Sequence, residues 1–118
     1  MANWMYDKNG RPCLILDGET IRNDGGIPAG WISNGNAYSL RGVHRGWFEG
    51  GVIYDDRNSA LAFTSNHSGQ TPSTPGLAGT PGMPGFAGTP GRPGLTGAPG
   101  RPGRGGWSVR DASSYFTD

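Results

Sequence analysis

The chain has 118 residues and a net charge of +1, and glycine (23) and proline (10) make up more than a quarter of it. This length allows one small domain with an appended segment, and the near-neutral charge gives no electrostatic reason to expect nucleic acid as a partner. The single cysteine, Cys13, excludes an internal disulfide and fits a reducing compartment. We see no secretory signal and no apolar run long enough to span a bilayer, so we expect a cytoplasmic protein, with export or assembly on a virion or cell surface left open.

A repeat of 16 residues runs through the first half of the chain without insertions. Its first column, which is mostly tyrosine, holds Tyr6, Arg22, Tyr38 and Tyr54. A second column, nine residues later, holds the large apolar side chains Ile15, Trp31, Trp47 and Phe63. Turn residues recur about every eight positions, at Asn9-Gly10 and then at Asp17-Gly18 in the first copy, so each copy is predicted to be a β-hairpin with two-residue turns.

Eight short strands in this order can close on themselves, which removes the exposed edges of the sheet. We therefore predict an all-β fold: a small, pseudo-four-fold barrel over residues 1–68. In this barrel the second column is expected to form a ring around the axis. The ring is either an aromatic core or a shallow apolar opening for a small apolar ligand, a lipid chain or an aromatic side chain of a partner.

The ring residues are therefore candidate binding residues, and Arg22 joins them. Arg22 interrupts a column of tyrosines, so its charge would bind an anion or only break the symmetry at the rim of the barrel. No cofactor or metal is predicted, because His44 and His67 do not occupy matching repeat positions and have no ligand-type neighbours at a suitable spacing.

The turns Tyr6-Asp7 to Gly10 and Tyr54-Asp55, together with the steps Gly30-Trp31 and Gly46-Trp47, resemble the four-fold β-flower domains over about residues 3–66. The resemblance implies a shallow, pseudo-symmetric barrel whose hairpins are arranged as petals around an axis. It implies no catalytic residues.

The second half of the chain is dominated by glycine at every third position from Gly76 to Gly106, which gives ten Gly-X-Y triplets. Only glycine fits the axis of a collagen triple helix, and each of the seven prolines from Pro75 to Pro102 precedes a glycine. Residues 69–106 are therefore predicted to be an extended collagen-like or polyproline-II tail. Two alternatives stay open: a homotrimer wound through the tails, or a single extended strand that is solvated or packed on its own barrel.

The last segment, residues 107–118, contains Trp107, Tyr115 and Phe116. A plain spacer does not need three aromatic residues, so they are predicted to dock on the barrel or on a partner, with a frayed terminus as the alternative.

The favoured function is a non-enzymatic structural or interaction module, in which the barrel binds a protein partner or self-associates and the tail spaces, docks or oligomerises. One alternative is a collagen-like trimeric fibre or adhesion component of a phage or bacterial surface. Another is a domain that binds lipid or a membrane surface.

Overall fold

A computed structural model describes residues 2–116, which form eight β-strands and no helix. The strands are β1 (Ala2–Tyr6), β2 (Pro12–Asp17), β3 (Thr20–Asn23), β4 (Pro28–Ser33), β5 (Asn36–Ser39), β6 (His44–Glu49), β7 (Val52–Tyr54) and β8 (Ala60–Thr64). The described residues leave out Met1, at the start of the predicted barrel segment, and Thr117 and Asp118, at the end of the predicted terminal segment.

Each strand pairs antiparallel with its neighbours in the chain, and β1 also pairs with β8, so the sheet closes into a barrel. The predicted all-β architecture is confirmed. We call the hairpins β1–β2, β3–β4, β5–β6 and β7–β8 petals 1 to 4. Closure leaves no free strand edge among the eight, which protects a small glycine-rich sheet from pairing with other chains.

The tip of each petal is a turn longer than the predicted two residues, and the prediction of a two-residue turn at Asn9-Gly10 was wrong. In petal 1 the Asp7 carbonyl accepts from the Gly10 N–H, Gly10 has φ 76°, and the register of the β1–β2 pair shifts between Met5 and Tyr6. The Asp7 carboxylate also accepts from the N–H groups of Asn9 and Arg11. The same role falls to Asn23, Ser39 and Asp55 in the other petals. Short polar side chains at this position therefore shape the turns.

The connections between petals are the two-residue turns. Asn34 and Gly35 have φ values of 52° and 78°, and Gly50 and Gly51 have 58° and 83°. Positive φ at both central residues defines the type I′ turn, whose twist matches that of the flanking strands.

The interior of the barrel is lined by the column that directly precedes the tyrosine column. Its members have no solvent exposure: Met5, Ile21, Ala37 and Ile53. Gly30 pairs with Ile21 and Gly46 pairs with Ala37, so both glycines share the inner face. A Cβ added to Gly30 would collide with the Tyr38 carbonyl oxygen and would already touch the Ile21 side chain and the Phe116 ring, so this position has no room for a side chain.

The predicted ring around the axis was therefore wrong in its position. Successive residues of a strand face opposite sides, so Trp31 and Trp47, which follow the inward-facing Gly30 and Gly46, point outward. Three of the four ring residues belong to a separate outer cluster. That cluster contains Trp4, Tyr6, Ile15, Trp47, Val52, Tyr54, Ala60 and Phe63. The narrow interior accepts small and aliphatic side chains, and the large aromatic ones are left to the outer face.

Residues 76–106, which we call the strap, form no strand and pass along all four petals in turn. The protein as described measures 37 × 37 × 22 Å. Residues 108–116 then cross the end of the barrel that carries the petal tips, which we call the mouth. Ala112, Tyr115 and Phe116 complete the inner core there.

Candidate functional site

The strap binds each petal through the same backbone contact. In each contact a strap N–H donates to a petal carbonyl: Ala78 to Gly10 over 2.9 Å, Ala87 to Gly26 over 3.2 Å, Thr96 to Gly42 over 2.9 Å and Gly105 to Asn58 over 3.1 Å. The donors are nine residues apart and the acceptors are sixteen residues apart. Three Gly-X-Y triplets of the strap therefore correspond to one petal of the barrel.

The positions of proline in the strap follow from this contact. Proline fills the Y place of most triplets, and the Y places without proline are the four donors Ala78, Ala87, Thr96 and Gly105. Proline has no N–H to donate, so it is excluded wherever the strap must bind a petal. The strap is thus a nine-residue repeat, a signal present in the sequence that our prediction of a uniform tail missed.

Close approach to the strap requires glycine at three petal tips. Gly10, Gly26 and Gly42 have φ values between 76° and 88°, and a Cβ on any of them would collide with a carbonyl oxygen of the strap. Petal 4 has Asn58 instead, with φ 61°. There the side-chain amide of Asn58 donates to the Pro102 carbonyl over 3.0 Å, so the larger residue forms an additional bond with the strap.

The presence of Arg22 in a column of tyrosines is explained by its contacts with the strap. Its guanidinium lies 4.4 Å above the Phe86 ring and donates to the carbonyls of Gly26 and Ala87 over 2.8 and 2.7 Å. It is also paired with Asp17, 3.0 Å away, and is almost fully buried. A buried guanidinium needs such partners, because an unpaired buried charge is strongly destabilising.

Petal 4 reverses this arrangement. The petal supplies the aromatic ring, Tyr54, and the strap supplies the cation, Arg104, 4.9 Å from the ring centroid. Arg104 also donates to the Tyr54 hydroxyl over 2.6 Å. Arg22 with Phe86 and Tyr54 with Arg104 are therefore equivalent cation–π pairs with the two roles exchanged, so in petals 2 and 4 the strap repeat matches its own petal.

Two of the outward-facing tryptophans are covered by arginines of the strap. Arg92 lies 5.7 Å from the Trp31 ring and donates to the Ile32 carbonyl over 2.7 Å. Arg101 lies 5.8 Å from the Trp47 ring and 2.9 Å from Glu49. Trp31 and Trp47 are thus covered by the chain's own strap, and whether the candidate binding residues bind any other molecule stays a prediction.

The Glu49 carboxylate forms ion pairs with two arginines of the strap, Arg101 and Arg104. The hydrogen bond and charge of Arg101, with a smaller contribution from Arg104 at 3.5 Å, lower the pKa of the Glu49 carboxyl. Because this carboxylate is about half exposed, solvent screens the ion pairs and their contribution to stability is small.

The three terminal aromatic residues lie on the barrel. Trp107 is half-buried on the outer face, 5.7 Å from the Phe63 ring. Tyr115 and Phe116 are buried in the mouth. The Tyr115 hydroxyl donates to the Arg45 carbonyl over 2.5 Å and accepts from the Asp56 N–H over 2.9 Å. Burial raises the pKa of Tyr115.

Two further titratable groups within residues 2–116, Cys13 and His44, have shifted pKa values. Burial, reinforced by the charges of Asp7 and Asp111, raises the pKa of the Cys13 thiol far above its ordinary value, so a nucleophilic thiolate is disfavoured. Burial lowers the pKa of His44, whose Nε2 lies 3.0 Å from Asn36 Oδ1. Within residues 2–116, no three His, Cys, Asp or Glu side chains come together as a metal site requires. This part of the chain also contains no helix long and apolar enough to cross a membrane.

Comparisons with curated proteins and with solved structures gave no match. A comparison with protein families gave a match to the family described as 4-fold beta flower protein, over residues 3–116. The match extends past the four petals and includes the strap and the terminal segment, whereas the sequence resemblance had covered about residues 3–66. The chain therefore belongs to the 4-fold beta flower protein family.

Proposed function

We propose that the chain is a non-enzymatic structural and interaction module whose Gly-X-Y tail binds the four petals of its own barrel. The observation that carries this proposal is the matched spacing, in which four strap N–H groups nine residues apart meet four petal carbonyls sixteen residues apart. A tail that served only as a spacer, or only as a strand of a triple helix, would not need to leave proline out at these four positions.

The length of the strap supports the same proposal. An extended polyproline-II-like strand advances about 3.1 Å per residue, so nine residues span about 28 Å. The three nine-residue steps between the four contacts therefore cover about three quarters of a circle with a circumference of about 110 Å. Such a circle is about 35 Å across, and the protein measures 37 Å in two directions. The strap thus has the length required to reach all four petals in turn.

The energetic role of the strap follows from the size of the barrel. A net contribution of about 1 kcal/mol for each backbone hydrogen bond, with similar amounts from the cation–π pairs, sums to several kcal/mol. Small domains are stable by only about 5–15 kcal/mol, and less when few residues are buried. Loss of a single strap contact should therefore lower the stability of the module by a measurable amount.

Two single substitutions separate an intramolecular strap from a collagen-like homotrimer. Ala87→Pro removes the N–H that donates to Gly26, so a strap would be weakened, whereas a triple helix accepts proline at a Y place. Gly88→Ala should have the opposite effect: the strap would tolerate it, and a triple helix would not. A Cβ on Gly88 would meet nothing within 4 Å in the strap, but alanine at this place would disrupt a triple helix.

The test is thermal unfolding of both full-length variants, with the solution mass of each measured by light scattering. We expect a monomer, a lower Tm for Ala87→Pro and a Tm for Gly88→Ala close to that of the unchanged protein. A trimeric mass, with Gly88→Ala the more damaging of the two, would refute the strap and establish the homotrimer. Until then the homotrimer stays a prediction.

A further inference from the structure

Residues 108–116, the part of the terminal segment that the structure describes, fill only part of the mouth of the barrel. Beside Phe116 lies a pocket of about 370 Å³, open to solvent on one side. Its apolar lining includes Leu14, Ala29, Leu40 and Phe116, and its polar lining consists of Asn23, Arg41 and Ser113. Pockets that hold small organic ligands have volumes of about 300–1,000 Å³ and a mostly apolar lining with few polar groups.

The four-fold repeat makes the chemistry of this pocket stand out, because each residue can be compared with its equivalents in the other petals. Leu40 is apolar, but the equivalent positions are charged. They hold Lys8, Asp24 and Asp56. Leu40 therefore departs from the repeat at the place where it lines the pocket.

The turns of petals 2 and 3, next to the pocket, also carry apolar residues where petals 1 and 4 carry polar ones. Ile27 and Val43 are exposed by 55% and 44%, and the equivalent residues of petals 1 and 4 are Arg11 and Ser59. Aliphatic side chains with this exposure add nothing to the core of the barrel. Petals 2 and 3 thus carry exposed aliphatic side chains in their turns where petals 1 and 4 carry polar ones.

The terminal segment shows which groups the mouth accepts. In the part of the mouth that it occupies, it inserts an aliphatic side chain, Ala112, and two aromatic ones, Tyr115 and Phe116. The open part, lined by Leu40 and Phe116, offers an apolar surface of the same kind. Arg41 adds a positive charge beside it, which favours a ligand with an anionic end.

We propose that this pocket binds a small amphiphile, with its aliphatic or aryl chain against Leu14, Leu40 and Phe116 and its anionic head group paired with Arg41. The proposal is independent of the strap, since neither Leu40 nor Arg41 takes part in the strap hydrogen bonds described above. Free carboxylic acids and anionic lipids share this chemistry, and the experiment below distinguishes them.

The probe is decanoate, titrated into the full-length protein by calorimetry, with decanol as the uncharged analogue. We expect saturable binding of decanoate at one site. Arg41→Gln should weaken decanoate binding by about 3- to 10-fold, the effect of a partly exposed ion pair, and leave decanol binding unchanged. Arg57→Gln is the matched control. It removes an exposed arginine at the equivalent position of petal 4 and should change neither affinity.

A second variant, Leu40→Asp, tests the apolar part of the site. It restores the residue that petals 2 and 4 carry at this position, so the turn should tolerate it, and it should abolish binding of both probes. Ala29→Phe, which fills the pocket, should do the same. Sedimentation with phosphatidylglycerol vesicles that is lost in Leu40→Asp would also support the site and would identify a lipid as its ligand. Failure of decanoate to bind at about 1 mM, or binding that Leu40→Asp leaves unchanged, would overturn the proposal.

Discussion

The backbone N–H of His44 donates to the Thr96 hydroxyl of the strap over 2.9 Å. Petals 1 and 2 have Pro12 and Pro28 at the position of His44, and the strap repeats that face them have alanine at the position of Thr96. Where the petal has no N–H to satisfy, the strap offers no hydroxyl. Petal and strap are thus matched residue by residue.

Thr96→Ala should therefore destabilise the protein by about 1 kcal/mol, because the His44 N–H loses its acceptor. The double variant His44→Pro with Thr96→Ala recreates the pair found in petals 1 and 2. In a double-mutant cycle measured by urea unfolding, Thr96→Ala should have little effect once His44 is proline. If Thr96→Ala lowered the free energy of unfolding equally with histidine and with proline at position 44, the hydrogen bond would contribute nothing to stability.

Arg22→Ala should cost about 3–5 kcal/mol, since it leaves the partly buried Asp17 and two carbonyls without their donor. Phe86→Ala should cost less, because Phe86 lies on the surface of the strap. The coupling energy between the two sites should be about 1 kcal/mol, the contribution of the cation–π contact. Additive effects in this cycle would mean that Phe86 does not help to position Arg22.

Protonation of Glu49 should loosen the strap at petal 4. Its folded pKa lies below the ordinary value of 4.5, so its stabilising effect is present above pH 4.5 and is lost as the pH falls through the folded pKa. Glu49→Gln should lower the Tm at neutral pH, and the difference from the unchanged protein should disappear in acid. Added salt should also reduce the difference, because the pair is partly exposed. A difference that persists in strong acid would contradict this assignment.

Cys13 should resist thiol reagents as long as the barrel is folded. It is 5% exposed, its thiol donates to the Met5 carbonyl over 3.5 Å, and its raised pKa removes the reactive thiolate. At pH 8 we expect Ellman's reagent to react only as fast as the protein opens, and urea to accelerate the reaction sharply. Rapid labelling of the native protein would show that the mouth opens without unfolding.

The sequence was sufficient to predict the closed barrel, because the repeat of sixteen residues has no insertions and its turn residues mark each hairpin. It also contained the evidence against an aromatic ring around the axis. Gly30 and Trp31 are adjacent in one strand and cannot both face inward. The column that faces the interior is the one at Met5, Ile21, Ala37 and Ile53.

The strap could be predicted only in part. Its nine-residue repeat and its proline-free positions at Ala78, Ala87, Thr96 and Gly105 are visible in the sequence. Their meaning is not, because the requirement for an N–H arises from carbonyls on petals that lie far away in the chain. The pocket beside Phe116 could not be predicted from the sequence either, because it depends on how the terminal segment enters the mouth.

The ratio of nine strap residues to sixteen barrel residues links two distant parts of the gene. A duplication that added one hairpin would leave the new petal without a partner unless nine codons were also added downstream, in the Gly-X-Y region. The same holds for loss of a hairpin. In a protein built this way, the length of the Gly-X-Y run records the number of petals, and the two lengths can change only together.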